Sequence, residues 1–154
     1  MKRFFYSLIL PLTISLIFFG SLQIPKYSGT FISSKGYNKV VIKRDQYGIP
    51  TIESKTLKDT MYGLGIAHAQ DRLWTMYMKK LLFQGRLSEI AGKNAIPIDK
   101  LFRNLSLKRY SDYAVENINK ETKEIFQAYI DGINDYANSL IILPLEFWLD
   151  RKST

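Results

Sequence analysis

A long N-terminal run without formal charge constrains this chain most, because it removes many apolar residues from any folded core. Met1-Lys2-Arg3 is followed by FFYSLILPLTISLIFFGSLQIP, which extends from Phe4 to Pro25. About 20 mostly apolar residues are enough to cross a bilayer, and a positively charged flank stays on the cytoplasmic side. Residues 1–25 are therefore predicted to be a signal peptide or an uncleaved membrane anchor. Either one would export the rest of the chain to the periplasm or the extracellular space.

Composition excludes several classes of function. The 154 residues contain no cysteine, which rules out a disulfide framework, a thiol nucleophile and a zinc-thiolate cluster. The net charge of +8 arises from basic residues that are scattered among acidic ones. Such a pattern is typical of a solvated surface, whereas a nucleic acid groove needs a basic stripe interleaved with aromatic residues. We expect no nucleic acid partner and no metal or other cofactor within this chain.

A linker and a β-hairpin are predicted after the leader. Residues 26–39, KYSGTFISSKGYNK, are rich in Ser, Gly, Lys and Tyr and show no sustained periodicity. The β-branched run VVIKRD and the segment GIPTIES predict two strands, and aspartate first with glycine fourth favours a type I turn between them. Pro50 places the second strand at an edge or near a bend.

A long helix is expected to follow the hairpin. Thr56 and Asp59 match a capping box, and apolar spacing continues to about Phe83 before Gly85 offers a stop. Gly63 and Gly65 each cost a helix roughly 1 kcal/mol relative to alanine. They indicate a close backbone approach or a local break. RLSEIAG then predicts a short helical piece that Gly92 closes.

The most regular helical pattern covers residues 119–140, with Asn119 as a candidate cap. Its apolar stripe consists of Ile125, Tyr129, Ile133, Tyr136 and Leu140, widened by Phe126 and Ile130. Lys123, Gln127, Asp131 and Asn134 remain for water or polar partners. Pro144 ends any continuation. A hairpin followed by long helices indicates an α+β fold that is incomplete alone, because so apolar a helix needs a sheet to cover it.

The only histidine, His68, invites a catalytic interpretation. In a helix it neighbours Asp71, and Thr75 lies almost above it. A nucleophile must lie within hydrogen-bond reach of its base, however, and two helical turns separate Thr75 from His68 by roughly 10 Å. We therefore predict no triad. The structural alternative is a buried His68 and a buried Asp71–Arg72 pair, satisfied by backbone groups or by side chains of the hairpin.

Three further patterns carry little functional weight. The pairs Glu89/Asp99 and Glu121/Glu124 are predicted to be ordinary surface carboxylates, because no spacing forces their members together. Asn104-Leu105-Ser106 is a glycosylation sequon, which matters only in a chain secreted by a eukaryote. Gly63-x-Gly65 lacks the rest of a phosphate-binding fingerprint.

Five motifs taken together resemble one family, the penicillin acylases, which are N-terminal nucleophile hydrolases. The motifs are VIKRDQYGIPTI (41–52), GLGIAHAQDRLWTM (63–76), GRLSEIAGK (85–93), AYIDGINDYA (128–137) and LPLEF (143–147). Their order and approximate spacing are similar to those at the start of that family's α-chain. Residues 40–154 are accordingly identified as the N-terminal portion of such an α-chain.

The resemblance implies a four-layer αββα sandwich assembled from an α-chain and a β-chain. It also implies hydrolysis of linear amides by a serine at the N-terminus of the β-chain, with its own α-amine as the base. Calcium commonly ties the two chains together in this family. None of the family's catalytic, cofactor-binding or metal-binding residues maps onto this chain, so we expect its partners to be the rest of the α-chain, the β-chain and a small amide substrate.

Two hypotheses follow. The first is a fragment of an exported amidase acting on N-acyl compounds, β-lactam antibiotics or acyl-homoserine lactones, and inactive by itself. The second is a non-catalytic binding module derived from such an acylase and anchored to the membrane through residues 4–25. Under either hypothesis His68 and its neighbours belong to a structural signature.

Overall fold

A computed structural model describes residues 27–33 and 35–140. Within these ranges the chain forms three strands, five α-helices and one turn of 3-10 helix. The strands are β1 (Gly29–Phe31), β2 (Val40–Arg44) and β3 (Pro50–Glu53). The helices are α1 (Leu57–Gln84), α2 (Ser88–Ala91), α3 (Ile96–Asn104), α4 (Leu107–Asn117) and α5 (Lys120–Ser139), with the 3-10 turn at Lys93–Ala95. The predicted leader, Pro144 and the LPLEF motif lie outside the described residues.

The strands form one antiparallel sheet in the order β1-β2-β3. Alternate residues of β2, Val40 and Ile42, are completely buried, and Ile42 pairs with Ile52 of β3. The turn is held by Asp45, whose carbonyl accepts the Gly48 amide at 3.0 Å and whose carboxylate accepts the Tyr47 and Ile49 amides at 2.9 Å each. Because β3 pairs with β2 alone in the described chain, Pro50 begins an edge strand, which confirms the hairpin prediction.

Helix α1 begins and ends as the sequence predicts. Thr56 and Asp59 form the complete capping box, and Gly85 closes the helix in the left-handed conformation with φ 63°. The helix is broken once, at Arg72, whose φ of −145° and ψ of 25° are not helical. The break therefore lies at neither Gly63 nor Gly65, the two glycines that suggested it.

The two glycines permit a close approach. A Cβ atom at Gly65 would lie 2.1 Å from the carbonyl oxygen of Tyr129 in α5, and one at Gly63 would lie 2.6 Å from the side chain of Val40. Gly132 of α5 faces α1 in the same manner, since its Cβ would meet the Tyr62 carbonyl oxygen at 2.0 Å. The helix pair can therefore pack backbone against backbone, and this crossing is the centre of the fold.

The core lies between the sheet and this helix pair. Its largest members are Tyr62, Ile66 and Tyr136, packed with Val40 and Ile42. Helix α5 runs as predicted, with the Asn119 side chain accepting the Thr122 amide at 2.8 Å. Two residues of its predicted stripe, Phe126 and Ile130, are instead 53% and 45% exposed, because the described chain places nothing over that side of the helix.

Helices α2, α3 and α4 form an arm at the end of α1. Gly92 follows α2 as predicted, and Phe83 of α1 meets Phe102 of α3 edge to face, with ring centroids 5.7 Å apart. Arg103 then donates from Nε to the Gly85 carbonyl at 2.8 Å. Most side chains of α4 are exposed, so the arm contacts the body chiefly through α3.

The prediction that residues 26–39 form a linker without structure is wrong over the described part of that segment. Gly29–Phe31 is strand β1, with Thr30 opposite Val41 of β2. A three-residue strand is too short to show the alternation that identifies strands in a sequence. The residues that follow it make polar contacts with α1 and α5, so the segment is part of the folded body.

Among the described helices none is both long enough and apolar enough to cross a bilayer.

Candidate functional site

Arg44, the last residue of β2, connects the hairpin to the signature helix. Its guanidinium forms a two-pronged ion pair with Asp71, at 2.9 Å and 3.1 Å, and donates to the Gln70 side-chain oxygen at 3.1 Å. It also donates to the backbone carbonyl oxygens of Gly48 and Tyr27, at 2.8 Å and 3.2 Å. The planar fork of arginine suits several simultaneous contacts of this kind. Arg44 therefore holds α1 immediately before its break.

The predicted Asp71–Arg72 pair does not form. Asp71 pairs with Arg44 instead, and both Asp71 and Arg72 are exposed. Adjacent residues of a helix point in different directions, so one of the two could face the hairpin only if the other turned away. The part of the prediction that assigned Asp71 a hairpin side chain is confirmed.

His68 is exposed, so the prediction that it is buried is wrong. Its Nδ1 shares a 2.9 Å hydrogen bond with the Tyr129 hydroxyl of α5, and the two rings meet edge to face at 5.7 Å. Gln70, two residues later, is one of the side chains that faces the hairpin. Helical periodicity alone did not determine whether His68 or Gln70 would face the core.

The structure does not assemble a hydroxyl, an imidazole and a carboxylate. His68 bonds to Tyr129, Asp71 bonds to Arg44, and the helix is broken between His68 and Thr75. A serine or threonine nucleophile requires a base within about 3 Å of its oxygen. The described residues therefore hold His68 and Asp71 in separate contacts and not in one catalytic group.

A polar cluster that the sequence did not reveal joins Ser33 and residues 35–38 to α5. Asp131 is 7% exposed and accepts from Lys35 Nζ at 2.5 Å, the Tyr37 hydroxyl at 2.9 Å and Gln127 Nε2 at 3.0 Å. Burial raises the pKa of the Asp131 carboxyl, but these donors outweigh burial and hold the pKa below its usual range. Asp131 is thus a buried, ionised anchor with polar partners.

Asp135, one turn further along α5, extends the same cluster. Its carboxylate accepts from the Tyr62 hydroxyl at 2.9 Å and from the Ser33 hydroxyl at 3.2 Å. The Tyr62 ring stacks on Tyr37 with centroids 4.9 Å apart. Burial, reinforced by the nearby carboxylates, raises the pKa of both Tyr37 and Tyr62 to about 12.

Asp59 completes the attachment of residues 35–38. Besides capping α1, its carboxylate accepts the Asn38 amide at 2.9 Å and the Asn38 side chain at 3.0 Å. Burial raises the pKa of the Asp59 carboxyl, yet the hydrogen bonds from Thr56 and Asn38 keep that pKa lower than usual. The spacing of Asp131 and Asp135, four residues apart within an apolar helix, was the one signal in the sequence for this cluster.

The remaining acidic pairs divide into surface and buried groups. Asp99 is only 4% exposed and accepts the Leu87 and Ser88 amides at 2.7 Å and 2.9 Å, so its prediction as a surface carboxylate is wrong. From α3, the Asp99 carboxylate accepts the backbone amides at the start of α2. Sequence spacing does not reveal a contact between two different helices. Glu89 pairs with Arg86 and Glu124 with Lys58, both at the surface as predicted. Glu121 is exposed.

The carboxylates in the described part of the chain do not form a calcium site. Calcium takes six to eight oxygen ligands, and several carboxylates commonly converge on it. The described residues contain no group of three acidic or histidine side chains arranged to hold a metal ion. Asp131 and Asp135 are already occupied by amine, amide and hydroxyl donors, and a lysine amine in the cluster opposes a cation. These residues do not fit the ion that the family resemblance implies.

The hairpin and the two long helices belong to a segment that matches a known protein family. The family model described as penicillin amidase matches residues 39–152. The chain belongs to the penicillin amidase family. This match covers the hairpin, α1 and α5, and it confirms the resemblance drawn from the five motifs.

Relatives and a solved structure support this assignment to the penicillin amidases. The chain is 39% identical to an acyl-homoserine lactone acylase of Pseudomonas syringae pv. tomato over 109 residues, which are 71% of this chain and 13% of that protein. It is 34% identical to penicillin acylase 2 proenzyme of Pseudomonas sp. over 130 residues, 84% of this chain and 16% of the relative. Thermostable penicillin G acylase from Alcaligenes faecalis superposes with a TM-score of 0.61 at 28% identity, over 70% of this chain and 57% of that one.

These comparisons establish the family and the fold class. The α+β arrangement matches part of a penicillin G acylase chain, and relatives named as acylases identify a family of amide hydrolases. The chain spans 12–16% of the length of the curated relatives it matches. Most of the length of these curated relatives is therefore not matched by this chain.

Proposed function

We propose that this chain forms the first part of the α-chain of an exported amidase that hydrolyses linear amide bonds. The observation that carries the proposal is the penicillin amidase match over residues 39–152, which coincides with the folded hairpin and helix pair. The charge-free run from Phe4 to Pro25 supports export. The small share of each relative that the chain spans supports a further α-chain portion and a β-chain as its partners.

The proposed reaction uses a serine at the N-terminus of the β-chain. Its α-amine, with a reference pKa of about 8, accepts the hydroxyl proton while the oxygen attacks the amide carbonyl. The described residues of this chain hold the α1–α5 crossing through Gly65 and Gly132 and fix the hairpin through Arg44. These residues contribute by positioning the helix pair and the hairpin. Calcium in the assembled enzyme would be bound by other residues.

Acyl-homoserine lactones are the first substrates to test. The highest identity among the relatives named above, 39%, is to an acyl-homoserine lactone acylase, against 34% for penicillin acylase 2 proenzyme. Both names describe removal of an acyl group, so N-acyl amides are the shared substrate class. A β-lactam with an acylated amine is the second choice.

Complementation tests the proposal. The full chain is co-expressed with the Pseudomonas syringae acylase from which the matching segment has been deleted, and the purified complex is given an acyl-homoserine lactone and a phenylacetyl anilide. We expect hydrolysis of at least one amide. Hydrolysis should disappear when the first serine of the β-chain is replaced by alanine. The deleted acylase alone and this chain alone serve as controls.

The outcomes separate the two hypotheses. Hydrolysis by the complex, and by neither part alone, supports the amidase. A correctly assembled complex that cleaves neither amide would refute it and favour a non-catalytic binding module. Hydrolysis by this chain alone would also refute the proposal, because the described residues do not bring a serine or threonine hydroxyl together with His68 and Asp71.

A further inference from the structure

A cleft lies where the end of α1 meets the arm. Its volume is about 360 Å³, and it is lined by residues of α1, α3 and α4. We call it the arm cleft, and its lining includes Phe83, Phe102, Arg103, Lys108, Arg109 and Asp112. Pockets that bind small molecules commonly begin at about 300 Å³. The arm cleft is therefore large enough for one small ligand.

Two phenylalanines supply the apolar part of the arm cleft. Phe83 of α1 and Phe102 of α3 meet edge to face, and Phe83 is 49% exposed. An aromatic side chain that lines a cleft and remains half exposed can bury further surface against an apolar group of a ligand. This part of the lining fits an aryl ring or a short acyl chain.

Three cations and one carboxylate also line the arm cleft. Lys108 is paired with the carboxylate, Asp112, at 2.5 Å within α4. Arg109 lies over the Tyr110 ring, with its guanidinium carbon 5.7 Å from the ring centroid, and it forms no ion pair with any described residue. The lining thus carries more positive than negative side chains, so it favours an anionic group.

Arg103 is held in place but keeps donors for a ligand. Its Nε donates to the Gly85 carbonyl at 2.8 Å, at the end of α1. Asp99 and Glu89 also attract Arg103, but those carboxylates are engaged by the amides of α2 and by Arg86. The described residues offer no hydrogen bond to the two terminal nitrogens of the Arg103 guanidinium. A guanidinium fixed at Nε can present those nitrogens as a fork to a carboxylate.

We propose that the arm cleft binds a small carboxylate with an apolar tail, such as an aryl or a short acyl carboxylate. The carboxylate pairs with Arg103 and Arg109, and the tail contacts Phe83 and Phe102. An inorganic anion would leave the aromatic surface in water, and a neutral apolar molecule would offer no acceptor to the guanidinium nitrogens. The inference does not depend on the proposed amidase activity, because every residue that it uses lies in the described chain.

Two matched probes test the class of ligand. The full chain, purified in a nonionic detergent, is titrated by calorimetry with 3-phenylpropanoate and with 3-phenylpropanamide, which has the same tail but no charge. We expect the carboxylate to bind at least tenfold more tightly than the amide, because only the carboxylate can form charge-assisted hydrogen bonds with arginine. Added salt should weaken binding of the carboxylate and leave binding of the amide unchanged.

Two variants test the location of the site. Arg109→Gln removes one cation of the lining, and Arg103→Lys keeps the charge but removes the fork. We expect each to raise the Kd for 3-phenylpropanoate at least fivefold and to change the Kd for the amide by less than twofold. Lys100→Gln is the matched control, because Lys100 is exposed on α3 but does not line the arm cleft. Far-ultraviolet circular dichroism verifies the helices, and if Arg103→Lys does not fold, Arg109→Gln decides alone.

Every outcome supports the site or overturns it. Equal Kd values for 3-phenylpropanoate and its amide would overturn recognition of the carboxylate. Equal binding by Arg109→Gln and Lys100→Gln would overturn the location in the arm cleft. Binding to phosphatidylglycerol vesicles, without saturable binding of either soluble probe, would overturn the small-molecule site and indicate a membrane surface instead. Absence of binding to all of these would overturn the proposal outright.

Discussion

Gly65 of α1 and Gly132 of α5 lie at the crossing of the two helices. Each glycine packs against a backbone carbonyl oxygen of the other helix, that of Tyr129 or Tyr62. A Cβ atom at either position would lie 2.1 Å or 2.0 Å from that oxygen. Neither contact can be relieved by rotating a side chain, because the opposing atom is backbone. The distance between the two helices at their crossing is therefore set by two glycines that are far apart in the sequence.

Alanine at either glycine should separate the helices. Overpacking a core commonly costs about 1–3 kcal/mol, and a clash with backbone belongs at the upper end of that range. We expect Gly65→Ala and Gly132→Ala each to lower the free energy of unfolding by roughly 3 kcal/mol, measured by urea denaturation. Asn134→Ala, on an exposed position of α5, should change it by less than about 0.5 kcal/mol. Unchanged stability in both glycine variants would contradict the backbone contact.

Replacing Arg44 should loosen the hairpin from α1. Arg44→Met leaves the Gln70 oxygen and the Asp71 carboxylate without their donor, and hydrogen bonds to charged groups contribute about 1.5–3 kcal/mol each when buried. Because Asp71 is partly exposed, we expect a loss of about 2 kcal/mol in the free energy of unfolding.

Lys43→Met provides the matched control for Arg44. Lys43 is the preceding residue of the same strand and pairs with Glu53 at the surface, where such pairs contribute less than about 1 kcal/mol. A thermal melt of both variants should show a clear decrease in midpoint for Arg44→Met only. Equal melting temperatures would show that the Arg44 network contributes no net stability.

Acid should weaken the attachment of residues 35–38 to α5. The folded pKa of Asp131 lies below its ordinary value of 3.8, so its stabilising contribution is complete above that value and is lost as the pH falls through the folded pKa. The free energy of unfolding should therefore decrease below about pH 4. Asp131→Asn should flatten that decrease, as measured by urea denaturation between pH 7 and pH 3. Asp112→Asn, at the surface of α4, should leave the slope as it is.

Alkali should act on two buried tyrosines, Tyr62 and Tyr136, and on the partly buried Tyr37. Burial raises the pKa of Tyr37, Tyr62 and Tyr136 to about 12, from an ordinary value of 10.0. The neutral phenol is favoured in the folded state, so stability is complete below pH 10 and is lost as the pH rises toward 12. Phenolate absorbance should show a component that appears only with unfolding. Tyr62→Phe should reduce that component, and its persistence at full size would contradict the assignment to Tyr62.

His68 should be dispensable for chemistry. In the complemented enzyme, His68→Asn removes the imidazole and its hydrogen bond to Tyr129. We expect kcat to change by less than about tenfold, whereas loss of a general base typically costs 100-fold or more. Tyr129→Phe, which removes the same bond from the other side, should have a similar effect. A loss of 100-fold or more in His68→Asn alone would assign His68 a catalytic role.

Local signals allowed much of the fold to be predicted. The capping box at Thr56, the stop at Gly85 and the Asn119 cap are encoded within a few residues, and the structure confirms each one. Family membership followed from the order of short motifs. The helix break at Arg72 carried no such signal, because arginine is a good helix former.

Side-chain partners were predicted less well, because they depend on contacts distant in sequence. Asp99 was expected at the surface because nothing near it needs a carboxylate, yet it binds the amides of Leu87 and Ser88 from another helix. His68 was expected in the core because it lies in an apolar helix, yet it is exposed and hydrogen-bonded to Tyr129. Helical periodicity identifies a stripe but does not determine which neighbour will cover it.

The attachment of Ser33 to Asp135 spans 102 positions of sequence, nearly the whole described chain. Because a ribosome builds the chain from its N-terminus, Ser33, Lys35 and Tyr37 are made long before α5. Contacts of such separation form late in folding because the chain must first close a large loop. The segment that is made first is consequently among the last to be secured, and Ser33 stays without its partner on α5 until that helix has been made.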